Sequence, residues 1–175
     1  MKLRKLISTI GVFFLLTSPL RAAEIETEKD LITDVVTHAF GMPSDTTYAT
    51  MINDEQYAWF GYLCASSGDI ETFLDTDQYL GMNDEEVEVA IRLNGGKPRY
   101  FNWLVADYER GVITPNPDNL TDSLYVQNIL NNPANQELVI GWTDQDGYNY
   151  AAKWLLNQHK NDYLTYESMC TKILP

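Results

Sequence analysis

The stretch GYLCASSGDIETF, residues 61–73, contains Cys64, one of only two cysteines in the 175-residue chain. The residues leading up to it follow the i, i+3, i+4, i+7 spacing that marks one face of an amphipathic helix: Tyr57, Phe60, Gly61 and Cys64. The second cysteine, Cys170, lies in a similar apolar stripe with Met169 and Ile173. This spacing predicts two helices whose cysteines face a common core.

Similar capping and spacing signals predict further short helices along the rest of the chain. The strongest are the stripe of Phe101, Leu104 and Val105, a helix opened by Thr121, and a stripe from Tyr148 to Leu155. They predict an all-α fold, an irregular single-domain bundle of about seven or eight short helices. The segment VEVAIRL, residues 87–93, instead alternates like a strand and is followed by a turn, so a minor β-hairpin near residues 87–103 is the alternative there.

The N-terminus has the layout of a secretory signal peptide. Residues 1–22 combine basic residues, a short apolar run and small residues before a cleavage site near Ala22 or Ala23. The apolar run is shorter than the roughly 20 residues of a membrane-spanning helix, although an uncleaved anchor remains the alternative. We therefore expect a single helical domain over residues 23–175, located in the periplasm or secreted, without stable membrane insertion after cleavage.

Export bears directly on the two cysteines. In an oxidising compartment an even number of cysteines pairs, which predicts a disulfide between Cys64 and Cys170; two buried free thiols are the alternative. A catalytic Cys64 would need a base, and His159 qualifies only by its order in the chain. No recognised nucleophile motif surrounds Cys64, so the sequence predicts no catalytic residue.

The strongly negative net charge of the chain indicates which classes of molecule it could bind. The predicted signal peptide carries four of the twelve cations and none of the 25 acids, so cleavage changes the formal net charge from −13 to −17. Such a field repels nucleic acid and anionic lipid, and it favours a basic protein partner. The simpler interpretation is that the acids keep an exported protein soluble.

The acidic turns of the chain match metal-binding loops only in part. In TDQDGYN, residues 143–149, Asp144 and Asp146 with Gly147 match part of a calcium-binding loop. The first and last ligand positions of that loop would be Trp142 and Lys153, which cannot serve. No cluster of histidine and cysteine has the spacing of a zinc site. The sequence therefore predicts neither a metal site nor a cofactor.

The same turn is the best candidate for a protein interface. Exposed tyrosine and tryptophan beside charged groups are enriched where proteins bind each other. The turn joins two predicted helices, and loops lie at the surface. We therefore predict that a basic partner contacts four residues of this loop: Trp142, Asp144, Asp146 and Tyr148. The alternative is that Trp142 turns inward to fill the core and the acids are only solvated.

Small size, export, acidity and one disulfide resemble the general character of small envelope immunity or inhibitor proteins, such as those that neutralise secreted cell-wall amidases. No shared motif accompanies this resemblance, so it assigns no residue a role. Together with strong acidity and the lack of a catalytic motif, it favours an exported binding protein of inhibitor or immunity type, which captures a basic and cell-wall-active partner, over an enzyme. Two alternatives stay open: an envelope hydrolase that uses carboxylates or Cys64, and a structural subunit of an envelope secretion or transfer machine.

Overall fold

The computed structural model describes residues 22–30, 34–49, 58–68, 70–76, 78–106, 113–115 and 120–173. The predicted signal peptide lies outside these ranges apart from Ala22, and Tyr57 of the predicted helical stripe lies outside them as well. Within the described part of the chain, no helix is both long enough and apolar enough to span a membrane.

The described residues form a large antiparallel sheet, so the prediction of an all-α bundle is wrong. The described residues form two α-helices, α1 and α2, and ten strands, β1 to β10. The strands are Glu24–Lys29, Val36–Pro43, Thr46–Ala49, Trp59–Ala65, Ile70–Asp75, Glu86–Leu93, Arg99–Val105, Ile113–Pro115, Glu137–Thr143 and Asn149–Leu155, and the helices are Leu120–Gln127 and Lys160–Ile173. Their order across the sheet is β1-β2-β4-β5-β8-β7-β6-β9-β10-β3.

Alternation of apolar and polar side chains explains the strands in the middle of this sheet. In β6, Val87, Val89 and Ile91 are buried while Glu86 and Glu88 face solvent. A strand places successive side chains on opposite faces, so this alternation buries one face only. The hairpin predicted near residues 87–103 is present as β6 and β7, but it is an internal part of the sheet rather than a minor appendage.

The sheet curls so that β3, at one end of the strand order, directly continues β2, which lies next to the other end. Only Ser44 and Asp45 separate β2 from β3, yet β2 pairs with β4 whereas β3 pairs with β10. The backbone N–H of Ser44 donates to the carbonyl oxygen of Ala58 on the β4 side, and that of Asp45 donates to Lys153 of β10, both at 2.8 Å. The bent strand therefore joins β4 along one side to β10 along the other.

Helix α2 packs against the inner face of β2 and β4 through aromatic rings. The ring of Phe40 lies 5.7 Å from the rings of both Tyr163 and Tyr166, measured between centroids. The ring of Tyr62 lies 5.4 Å from that of Tyr163. All of these side chains are buried, and offset or edge-on aromatic pairs at this spacing stabilise a core beyond the area they bury.

A disulfide between Cys64 of β4 and Cys170 of α2 fixes the helix on the sheet. Its Cα atoms are 5.9 Å apart, and both residues are buried. The predicted pairing is present, although Cys64 lies on a strand and not on a helix. No cysteine among the described residues is free, so Cys64 has no thiol to act as a nucleophile.

The helix predictions hold only in the second half of the chain. A helix was expected from Thr121 and another around Cys170, and α1 and α2 are found there. The stripe expected to be helical from Tyr148 to Leu155 is instead β10, and the stripe beginning at Phe101 is β7. The reason is that both segments gain an unbroken ladder of hydrogen bonds and one buried face as members of the sheet.

Candidate partner-binding surface

The predicted loop is a tight turn that joins β9 to β10. The backbone N–H of Asp144 donates to the carbonyl oxygen of Tyr148 at 3.0 Å, and the N–H of Tyr148 donates back to the Asp144 carboxylate at 2.9 Å. Gly147 has a φ of 83°, a left-handed conformation that glycine adopts without steric cost. The turn is therefore held in one conformation by its own backbone and by one acid.

The two acids of this turn differ in what they do. The hydroxyl of Tyr150 donates to the second carboxylate oxygen of Asp144 at 2.9 Å. Burial, and after it the hydrogen bond and charge of Asp144, raise the pKa of Tyr150 to about 12. Asp144 is thus occupied within the protein, whereas Asp146 is exposed and has no ion-pair partner in the described part of the chain.

Trp142 lies inside the protein and does not reach the surface. It belongs to β9, its side chain is buried, and its ring stacks on that of Tyr150 at 5.8 Å between centroids with an interplanar angle of 10°. The role that the structure gives Trp142 is to support the turn from below. Of the four predicted contact residues, Asp146 and Tyr148 are exposed, Asp144 is half-buried and Trp142 is buried.

A second loop, residues 78–85, lies beside this turn, and no local pattern in the sequence indicates that the two are neighbours. The carboxylate of Glu85 accepts a hydrogen bond from the backbone N–H of Met82 at 2.8 Å and one from the side-chain amide of Gln145 at 2.9 Å. Gly81 passes so close to Glu85 and Gln145 that a Cβ atom there would collide with the carboxylate. The Glu85–Gln145 hydrogen bond therefore ties the two loops together.

Three large side chains project from these joined loops into solvent. Their exposed fractions are 56% for Tyr79, 65% for Met82 and 42% for Tyr148. Between the first two, Leu80 is buried in the core and anchors the loop. We use the name acidic end surface for the group that the two loops present together: the exposed Tyr79, Met82, Asp146 and Tyr148, and the half-buried Glu85.

Two cations, Lys97 and Arg99, lie at the opposite end of the sheet strands. Lys97 is in the β6–β7 turn and Arg99 begins β7. The guanidinium of Arg99 lies 4.0 Å from the ring centroid of Tyr125 in α1, a cation–π contact that holds the helix to the sheet. Tyr100 is 63% exposed, whereas Trp103 is completely buried. Cations and an exposed ring therefore lie at the end of β7 away from the β9–β10 turn.

The histidines offer no catalytic or metal-binding arrangement. His159 is buried, and burial lowers its pKa. His38 is buried too, with its Nδ1 2.8 Å from the hydroxyl of Thr27, and burial also lowers its pKa. Within the described ranges, no three histidine, cysteine or acidic side chains converge in a way that would hold a metal ion.

Comparison with known proteins adds no functional information. No known protein family matches the chain, and neither a curated protein nor a solved structure is significantly similar to it.

Proposed function

We propose that this protein is an exported binding protein that captures a basic partner protein through the acidic end surface. The observation that carries the proposal is the exposure of Tyr79, Met82 and Tyr148 on two loops that the Glu85–Gln145 hydrogen bond holds together. Tyrosine and methionine are enriched in protein interfaces, and loops that are already ordered lose little entropy on binding. Asp146 adds a carboxylate that a lysine or arginine of the partner can reach.

The overall charge supports the same class of partner. If the signal peptide is removed, the formal charge of −17 attracts a basic protein over a distance of several ångströms and accelerates its association at low salt. The buried disulfide supports the proposed location, because disulfides form and persist in the periplasm and outside the cell. An inhibitor or immunity-type protein of the envelope fits these properties.

Capture from an envelope extract, with two pairs of variants, tests this proposal. The mature protein is immobilised, and retained proteins are identified by mass spectrometry. Tyr148→Ala should weaken partner binding by about 30-fold, the loss typical of an aromatic hot spot, because it removes a ring without changing the backbone of the turn. Its control is Tyr100→Ala, since Tyr100 is an exposed tyrosine near the opposite end of the sheet.

A second pair tests the charge. Asp146→Lys should slow association and flatten its dependence on salt, because it places a cation where the partner's cations approach. Glu88→Lys makes the same change of charge on the exposed face of β6 and is the control. The proposal fails if no basic protein is retained, or if the retained protein binds all four variants with the same affinity and the same association rate.

A further inference from the structure

Strand β1 is a terminal strand of the sheet, and among the described residues no strand pairs with its outer edge. It pairs with β2 over six residues, from Glu24 opposite Gly41 to Lys29 opposite Val36. Among the described strands it has no other neighbour. A strand edge presents a row of unpaired backbone N–H and carbonyl groups, which can pair with an extended segment of another chain.

The side chains of β1 give this edge a definite chemical character. Glu24, Glu26 and Glu28 occupy alternate positions, so they project from the same face of the strand. No ion pair of these three acids is present in the described part of the chain, since Lys29 projects from the other face and pairs with Asp34 at 2.6 Å. Burial, and after it the negative charge of Glu26, raises the pKa of Glu24.

The other face of β1 is partly apolar where the strand begins. Ile25 is half-buried and packs against the core, on the same face as Phe40 of β2. Further along, Thr27 contacts His38. A segment that adds to the edge would therefore meet one apolar position on this face and three acids on the other.

We propose that the open edge of β1 binds an extended basic segment of a partner protein as an added strand of the sheet. Lysine or arginine at every second position of that segment faces Glu24, Glu26 and Glu28, and an apolar residue lies beside Ile25. Opposite charges directly across a strand pair are favourable, and they supply the selectivity, while the backbone hydrogen bonds supply sequence-independent affinity. This inference does not depend on the acidic end surface, which belongs to other strands.

A second copy of this chain fits the edge poorly. Two β1 strands can pair in one continuous antiparallel sheet about a twofold axis perpendicular to it. The faces that carry the glutamates then lie on the same side of the sheet in both copies. The three acids of one copy then lie opposite the three acids of the other, and like charges across a strand pair are destabilising. The charge pattern therefore excludes self-pairing and selects a basic strand.

Synthetic peptides test the alternation that the proposal requires. The probe is an acetylated and amidated peptide of roughly eight residues, the length of a short strand, with lysine alternating with threonine and one valine. The control peptide has the same composition with its lysines consecutive. Three charge pairs predict that the alternating peptide binds at least about threefold more tightly in calorimetry. It should also slow backbone amide exchange in residues 24–29.

Variants locate the binding to the edge. Glu26→Lys should weaken binding of the alternating peptide, and Glu26→Gln, which keeps the size of the side chain, should weaken it less. Glu88→Lys should leave it unchanged, because β6 is paired on both sides by β7 and β9. Asp146→Lys should also leave it unchanged, so that a failure of the acidic end surface is distinguishable. Equal binding of both peptides, absence of binding, or amide protection away from β1 overturns the inference.

Discussion

Removal of the disulfide provides the sharpest test of how this fold is held together. We propose the double substitution of Cys64 and Cys170 to alanine. Alanine is preferable to serine because both positions are buried and a hydroxyl there would lack a hydrogen-bond partner. The contacts of Tyr163 and Tyr166 with Phe40 remain in the variant, so α2 still has a site on the sheet.

The expected loss follows from the sequence separation of the two cysteines, which is 106 residues. In the chain-entropy model, opening a loop of this length lowers the free energy of unfolding by about 5 kcal/mol. A domain has a total stability of only about 5–15 kcal/mol, so the loss is a third of the total or more. At about 2–4 °C per kcal/mol for a chain of this size, the midpoint of thermal unfolding should fall by roughly 10–20 °C.

Urea denaturation followed by tryptophan fluorescence measures the effect. The free energy of unfolding should fall and the m-value should rise, because the unfolded chain without the crosslink exposes more surface. The wild-type protein with its disulfide reduced is the control, and it should match the double variant. A loss below about 1 kcal/mol with an unchanged m-value would refute the argument, since it would mean that α2 is held by its rings alone and the crosslink is redundant.

Three further predictions concern the strand core, the buried histidines and export. Gly61→Ala should cost about 1–3 kcal/mol of stability, because its Cβ collides with the backbone of β2 and an aromatic ring, whereas Gly141→Ala, with no contact closer than 3.4 Å, should be tolerated in the same urea assay. Burial lowers the pKa of His159, so the folded state favours the neutral imidazole. The contribution of His159 to stability is fully present above about pH 6.5 and is lost as the pH falls, so the urea concentration at the midpoint should be lower at pH 5.5 than at pH 7.5. A midpoint that is constant over this range would contradict the prediction. Mass spectrometry of the protein from its native compartment should find Ala23 or Glu24 at the N-terminus, and intact residues 1–21 would contradict cleavage.

The first half of the chain illustrates why the helical prediction failed. In β4, the inner face carries the buried Phe60, Tyr62 and Cys64. The outer face is apolar as well, since it carries the half-buried Trp59 and Leu63. When both faces are apolar, the period of two disappears, and a subset of the residues fits a helical spacing by coincidence. By contrast, β6 keeps charged residues on its outer face, and its alternation was visible in the sequence.

The candidate surface was only partly predictable, for a related reason. The acidic turn was found because Asp146, Gly147 and Tyr148 are adjacent in the chain. Its neighbour, the loop with Tyr79 and Met82, is about 65 residues away in sequence, and only the sheet brings it there through β6 and β9. Without the strand order, no local pattern connects the two loops. The disulfide was predictable, because counting cysteines in an exported chain requires no knowledge of the fold.

The outer edge of β1 is left without a described neighbour because of the way β2 and β3 connect the two ends of the strand order. On the bent strand formed by β2 and β3, strand β10 pairs only with Thr46–Ala49, because the chain leaves the sheet after Leu155 to form α2. The disulfide holds α2 on the inner face of the sheet, where it cannot extend the ladder. On the side away from β4, residues 36–41 of β2 therefore pair with β1 alone among the described strands. An uncharged edge in this position would invite aggregation, and three acids prevent that. The same acids select a basic strand, so one charge pattern provides both solubility and the selectivity we propose for the edge.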